Sequence, residues 1–239
     1  MNAKKLIGVI ILGALLLFQI GCSGDKAQRL QQLEQLEHQN RSGEPMLNDS
    51  QAEDLVNYFD RHGDANERMR SRYILGRTYY CLDELPRALE MYNEAADCAD
   101  TTSADCDFAK LSRVYAQSAE IYNAQVQPRT QLEYIRRAEW YARKSKDTLM
   151  AIECFARQAD AYYLLNKLDS VVYVTDISSD MFEHIDRKDR SVQVLYNELL
   201  PLIKLNDYTK AGRILYLYEK SSGFFDETHS IDKKYNIYY

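Results

Sequence analysis

The side chains of this 239-residue chain that could carry covalent or proton-transfer chemistry are few and scattered: five cysteines, four histidines and some loose pairs of acids. His38, His62, His184 and His229 stand far apart. They form no HExxH pair to grip zinc and no nucleophile–histidine–acid context, and no glycine-rich loop is present to cradle a phosphate. Asp83-Glu84, and Asp105 with Asp107, fall in turn-like sequence, where helix capping and solvation explain them more simply than acid–base catalysis. Cys81, Cys98, Cys106 and Cys154 show no CxxC or Cys/His spacing, so no metal is expected. A bridge between Cys98 and Cys106 is the one pairing that proximity suggests, beside the plainer reading of small packing residues on helices. The expectation is a protein with no cofactor that is not an enzyme.

The elements that position these residues follow from composition. With 46% hydrophobic and 28% charged residues the chain should fold, and with only 9 Gly and 4 Pro it lacks the turns that sandwiches and barrels need. An all-α fold is expected. A formal charge of −6 removes the basic footprint needed to neutralise phosphates, so no nucleic acid partner is expected.

Lys4 and Lys5, the apolar run from Leu6 to Phe18, and Gln19-Ile20-Gly21-Cys22 read as a targeting segment. The run is short for a bilayer span, which takes about 20 apolar residues. Gly21-Cys22 directly after it, followed by small and polar residues, resembles the lipobox of bacterial lipoproteins. The resemblance implies a signal peptide over 1–21, acylation of Cys22, and a membrane attachment at the bacterial cell envelope, taken as the outer membrane with the leaflet left open. An uncleaved short anchor with an incidental cysteine is the alternative. Cleaved, the chain carries 28 basic and 36 acidic residues. Residues 22–47, polar with Leu30, Leu33 and Leu36 as a thin apolar stripe, read as a tether or short helix. A helix over about 48–62 should follow, capped at Asp49-Ser50, apolar at Ala52, Leu55, Val56 and Phe59, and ending before Gly63.

Beyond it the chain repeats. Gly76, Tyr79, Tyr92 and Ala95 recur 43 residues later as Ala119, Tyr122, Ile135 and Ala138, and Ala159 with Tyr162 follow at 40. Periods of this size mean stacked helical hairpins, because one hairpin cannot bury its apolar face alone and small residues must recur where helices approach closely. Leu75-Gly76, Tyr79, Ala88, Tyr92 and Ala95 resemble the tetratricopeptide repeat (TPR), with Pro86 early in the second helix where its missing N–H is harmless. More broadly, residues 48–225 are similar to a group of bacterial TPR lipoproteins. The resemblance implies a right-handed superhelix of about four TPR-like hairpins, a TPR-like α-solenoid, over 48–239. Its packing positions would be Leu75, Gly76, Tyr79, Ala88, Tyr92, Ala95, Ala119, Tyr122, Ala138, Ala159, Tyr162 and Ala211. Later copies drift, with Gln131 where the repeat has alanine and Val171 and Thr175 in the third, so a plainer helix-hairpin array stays open.

Most of the 19 tyrosines should fill space between helices. In the TPR register the concave face is lined by Arg70, Tyr73, Arg77 and Tyr80 in the first copy, and by Arg113, Glu120 and Asn123 in the second. The third adds Glu153, Asp160 and Tyr163, and the fourth Gln193 and Tyr196. Tyrosine mixed with charge suits a protein or peptide partner, since rigid rings bury area at low entropic cost and arginine forks select carboxylates. Tyr73 and Arg77 stand where repeats that clamp a C-terminal carboxylate carry Lys and Asn. Asp147-Thr148-Leu149 and Asp169-Ser170-Val171 read as helix caps and also resemble O-glycosylation acceptors of some exported bacterial proteins. The expected function is a lipid-anchored scaffold for a protein or peptide. The alternative is the sensory half of a signalling system whose output module is elsewhere.

Overall fold

A computed structural model describes residues 24–221; the apolar N-terminal run, Cys22, His229 and the aromatic stretch from Tyr235 lie outside the described residues. Regular structure within 24–221 is helical throughout, and the chain divides into two compact units, the first ending at Cys106 and the second beginning at Asp107.

The first unit holds α1 (residues 24–42), α2 (Asp49–His62), α3 (Ala65–Cys81) and α4 (Leu85–Cys98). Helix α2 buries Ala52, Leu55, Val56 and Phe59, and its cap is Asn48, one residue ahead of the expected Asp49-Ser50, accepting from the Gln51 N–H. Within 22–47, read as a tether or short helix, the structure forms α1: Leu33, Leu36 and Met46 are buried, and α1 meets α2 as a hairpin, with Arg29 over the Tyr58 ring and Lys26 donating to the His62 carbonyl. Its polar residues hold it to α3 through Lys26–Glu67 at 2.8 Å and a two-pronged Glu37–Arg70 pair at 3.1 and 2.8 Å. The leucine stripe looks thin in sequence because ion pairs do part of the work that apolar residues usually do.

The seam between α3 and α4 depends on size. A Cβ on Gly76 would lie 2.5 Å from the Tyr92 ring and 3.2 Å from the Ala88 carbonyl, so the two helices approach over a missing side chain. Ala88, Tyr92 and Ala95 are fully buried behind it, with Leu75 and Tyr79 nearly so. Beyond the seam, the Tyr79 hydroxyl donates to Glu53 at 2.5 Å and accepts from Arg87; burial and Glu53 push its pKa up to about 12.

The second unit holds α5 (Phe108–Ala124), α6 (Pro128–Lys144), α7 (Thr148–Ala156), α8 (Gln158–Leu164), α9 (Leu168–His184), α10 (Lys188–Tyr196), α11 (Leu199–Lys204) and α12 (Tyr208–Ser221). Helices α7 and α8 are one hairpin arm broken at Arg157, and α10 and α11 are another broken at Asn197 and Glu198. Pro201 accounts for the second break, since its ring cannot donate to the Asn197 carbonyl and crowds it; nothing in the structure explains the first. The described residues thus contain the four hairpins expected, from α3 to α12, and one more that α2 makes with α1. Ala119, Ala138, Ala159 and Ala211 are buried at the seams, Tyr122 packs its ring 4.8 Å from Tyr134, and the Tyr162 hydroxyl accepts from Arg136.

One turn closes every hairpin. Gly43, Asp83, Val126, Asn166 and Asn206 all have positive φ, and so do Lys146 and Asp186 between hairpins of the second unit. In each, the left-handed residue donates to the carbonyl three back and its successor reaches one residue further, as in Asp83 N–H to Tyr80 (3.1 Å) and Glu84 N–H to Tyr79 (2.9 Å). This is the Schellman closure, which satisfies the last carbonyls of a helix. From Val126 the turns fall every 20 residues. The 43-residue first period arises because the loop 99–107 is longer than the other connections.

No disulfide joins Cys98 and Cys106: Cys98 closes α4 beside Arg68 and Arg72, whereas Cys106 lies in the loop near Asp64 and Asn66. Cys154 is buried and its thiol is pushed up to about 12, which makes it an inert packing group. Asp107 and Asp147 cap α5 and α7, accepting from the N–H groups of Lys110 and Met150, but Asp169 falls inside the first turn of α9, with Lys167 at the cap.

Valine is the least suited of these turn residues to a left-handed backbone, since its branched Cβ crowds the following carbonyl. Val126→Gly should therefore stabilise the protein by about 1 kcal/mol, read as a higher urea midpoint at unchanged slope. A lower midpoint would show that the turn carries no strain.

Candidate functional site

The first helix or broken helix of each hairpin carries the residues assigned to the concave face, and the structure gives many of them work inside the chain. Arg70 is held by Glu37, and Arg77 donates to Asn40 at 2.8 Å while lying over the Tyr80 ring. Tyr73 is buried with its ring 6.0 Å from that of Tyr92. In the second unit Glu120 accepts from Arg157 at 2.5 Å, and Glu153 pairs with Arg190 at 3.7 Å. Lys204 donates to the Tyr163 hydroxyl and sits over its ring. Asn40–Arg77, Glu120–Arg157 and Glu153–Arg190 each span 37 residues, so they tie one hairpin to the next. Such partly exposed pairs each contribute about 0–1 kcal/mol and chiefly set register. Gln193 accepts from Arg190, and Arg113 is half-buried on α5; neither lines the site described next.

Four of the assigned residues do converge. Asn123, Asp160, Tyr163 and Tyr196 line one groove of about 730 Å³ in the second unit, running along α5, α8, α10 and α11 and reaching Val171 of α9 and Leu215 of α12. Its walls include Val126, Leu164, Leu200 and Ile203, which are 66%, 42%, 59% and 47% exposed. Large apolar side chains scattered singly over a surface mean little, but four around one groove leave an apolar patch that folding has not covered. Spacing within one repeat picked out Tyr163 and Tyr196 but missed Leu199, Leu200 and Ile203. Their signal was the apolar run Leu199 to Ile203: a helix packed on one side can bury only part of such a run.

The polar groups in the groove have few commitments. Asp160 is exposed, lines the groove and makes no hydrogen bond or ion pair among the described residues. The surrounding protein raises its pKa, Glu120 adds to the rise and Arg157 opposes it. The side-chain amides of Asn123 and Asn197 make no hydrogen bond within the described chain either. A groove of this volume with apolar walls and a few convergent polar groups has the anatomy of a ligand site. A second hollow of about 630 Å³, over Ile152 and Met181, is rimmed by Arg143, Lys146 and His184. Those side chains stand at or just past the C-terminal ends of α6 and α9, where the lysine and arginine charges favourably face the last helical carbonyls and the His184 ring bonds the Asp180 carbonyl.

The arm that forms one side of the groove is held at its break by a buried charge. Glu198 is fully buried between α10 and α11. It accepts from the Thr175 hydroxyl at 2.8 Å and from Lys210, which also donates to both oxygens of Asp176 at 2.7 and 2.8 Å. Burial raises the Glu198 pKa and the Asp176 charge adds to the rise, while Thr175 and Lys210 oppose it.

Hairpins closed by left-handed turns and packed through small–aromatic seams define an all-α fold of TPR-like helical repeats. No protein-family model matches the chain, and no curated protein matches it. Solved structures do. A kinesin light chain of nearly identical TPR-like repeats from Podosopora anserina is 12% identical over 84% of this chain and 98% of its own, with a TM-score of 0.66. BtubC (BKLC) from P. vanneervenii is 12% identical over 85% and 92%, at 0.60. RapI in its apo form is 15% identical over 71% of this chain and 48% of its own, also at 0.60. At these identities the likeness establishes the fold.

Lys210→Met should destabilise the protein by about 2–3 kcal/mol by leaving Glu198 buried without its cation, below the fully buried range because Lys210 is 27% exposed. Glu198→Gln should cost far less. Because the folded pKa of Glu198 is raised above 4.5, the folded state takes up its proton first. Wild type should therefore gain stability relative to Glu198→Gln as pH falls from 7 towards 4.5. Chemical denaturation of the three proteins across that window checks both signs.

Proposed function

We propose that this chain is a lipid-anchored scaffold of the bacterial cell envelope that holds a protein or peptide partner in the groove of its second unit. The observation that carries the binding reading is the groove itself: four exposed large apolar side chains and three uncommitted polar groups facing one hollow. The fold agrees with it, since stacked hairpins present continuous side-chain surfaces rather than enclosed reaction chambers. A chain of net charge −6 makes nucleic acid a poor occupant.

The anchoring reading rests on Gly21-Cys22 after the apolar run from Leu6 to Phe18. Several acyl chains on one cysteine hold a protein stably, because a single myristoyl-length chain is marginal and each buried methylene adds about 0.8 kcal/mol. Metabolic labelling with an alkyne fatty acid should mark wild type and leave Cys22→Ser unmarked; equal labelling of the two would remove the anchor.

The groove is tested by placing a photo-crosslinking amino acid at Leu200 or, as a control, at Tyr173, which is exposed on α9 away from the groove lining. A discrete adduct from position 200 is expected, absent from position 173 and lost when Ile203→Asp is added. Identical adducts from both positions would show that the groove is not the binding face.

A further inference from the structure

Outside the groove and the helix seams, three surface features could hold a ligand: the hollow over Ile152 and Met181, an acidic hollow of about 220 Å³ near Asp64, Asp100 and Asp105, and the exposed face of α6. Helix C-termini account for the rim of the first, and in the second Asp64 is spent capping α3 and Asp100 on Thr102. The face of α6 has no such account.

Helix α6 reverses the charge of the chain around it. It carries Arg129, Arg136, Arg137, Arg143 and Lys144 against Glu133 and Glu139, five cations to two acids, in a protein whose formal charge is −6. Both acids are paired within the helix, Glu133 with Arg137 at 2.5 Å and Glu139 with Arg143 at 2.8 Å. Among the described residues, Arg136 donates to two neutral groups, the Gln158 side-chain carbonyl and the Tyr162 hydroxyl, and Lys144 lies over the Phe108 ring. Arg129 is exposed and pairs with no acid among the described residues. Three positive charges are thus left without an acidic partner there.

Those three are not scattered. At 3.6 residues per turn, Arg129, Arg136 and Lys144 fall within about a quarter of the helix circumference. Trp140 falls between them and is 64% exposed. Beside it a hollow of about 570 Å³ is lined by Tyr115, Leu132 and Tyr141 as well as by Arg129 and Arg136. An indole has an apolar body and one N–H donor, a combination that suits the headgroup zone of a bilayer better than water. Arginine and lysine stems are long enough to lie along apolar surface while their charges stay among phosphates. A basic helix face with a tryptophan at its centre is therefore complementary to an anionic lipid surface.

Resting on the reading of the chain as membrane-attached, we propose that the face of α6 around Trp140 makes a second contact with that membrane by taking anionic phospholipid headgroups. Arg129, Arg136 and Lys144 meet the phosphates, and Trp140 sits at headgroup level. The net negative charge of the chain does not prevent this, because at physiological salt only charges within about 8 Å of the surface are felt strongly. An anchor that already holds the chain at the bilayer raises the effective concentration of headgroups, so a weak contact suffices to orient the second unit. The groove draws no residue from α6, so the two surfaces can be occupied together.

Trp140 is the only tryptophan of the chain, so its emission reports on this face alone. The full chain is mixed in dilute detergent with vesicles of phosphatidylcholine, or of phosphatidylcholine with phosphatidylglycerol, and the detergent is removed. In the anionic vesicles the emission should move to shorter wavelength and be quenched by bromine carried on the acyl chains. Both changes should be lost in neutral vesicles and at high salt. Arg129→Gln with Lys144→Gln should remove them without changing the melting temperature, whereas Arg129→Lys with Lys144→Arg should keep them. Equal emission and quenching in the two kinds of vesicle, or a shift that survives in the Gln variant, overturns the contact. Polyglutamate in place of vesicles should leave the emission unchanged; a shift as large as that in anionic vesicles would make the partner an acidic protein and overturn the lipid assignment. Flotation separates this contact from the anchor. Chain that floats with neutral vesicles while Trp140 keeps its aqueous emission in anionic ones retains the anchor and loses the α6 contact; chain that floats only with anionic vesicles, with Trp140 shifted, retains the contact and loses the anchor.

Discussion

Closing a helix in the left-handed region is the constraint on which the rest of these hairpins depends. A helix leaves its last carbonyls unsatisfied, and burying them against a neighbouring hairpin without partners would be costly. The closure at Asp83, Val126, Asn166 and Asn206 supplies those partners from the next two backbone N–H groups, so the turn needs no side chain at all. It also reverses the chain within a few residues, which brings the second arm back along the first. The small–aromatic seam of Gly76, Ala88 and Tyr92 can then form, because the reversal sets which faces meet.

Between hairpins the control is electrostatic as well as steric. Residues 37 apart pair across successive first arms, and Thr175 with Glu198 and Asp176 with Lys210 join α9 to the hairpin that follows it. These ties consume most of the charge that a single repeat seems to offer outward. In the second unit the groove keeps Asp160 and two asparagines outside these ties, beside exposed apolar side chains.

The legible parts of this chain were those written within one hairpin. Leu75-Gly76, Ala88 and Tyr92 state a close approach in residue sizes, and Ala52, Leu55, Val56 and Phe59 state a buried helical face. The hairpin of α1 and α2 was not legible, because its first arm has Leu33 and Leu36 but no small–aromatic signature, and its remaining hold comes from Glu37 and Asn40, residues of a type that also mark a solvated spacer. The turns were hidden for a related reason: six of the seven left-handed positions are not glycine. Arg70, Arg77, Glu120 and Glu153 were assigned outward roles because a partner 33 or 37 residues away is invisible to a pattern read inside one repeat.

The spacing of those ties also governs how such a chain acquires its structure. Asn40–Arg77, Glu120–Arg157 and Thr175–Glu198 join residues 37, 37 and 23 apart, so within each unit no tie waits for a distant stretch of chain. Contacts this local give a low contact order, the regime in which loop-closure entropy is small and folding is fast. As the polypeptide leaves the ribosome, each hairpin can lock onto its predecessor once about one further hairpin has emerged, and apolar edges are exposed only for the time taken to synthesise some forty residues, a few seconds at roughly 5–20 residues per second.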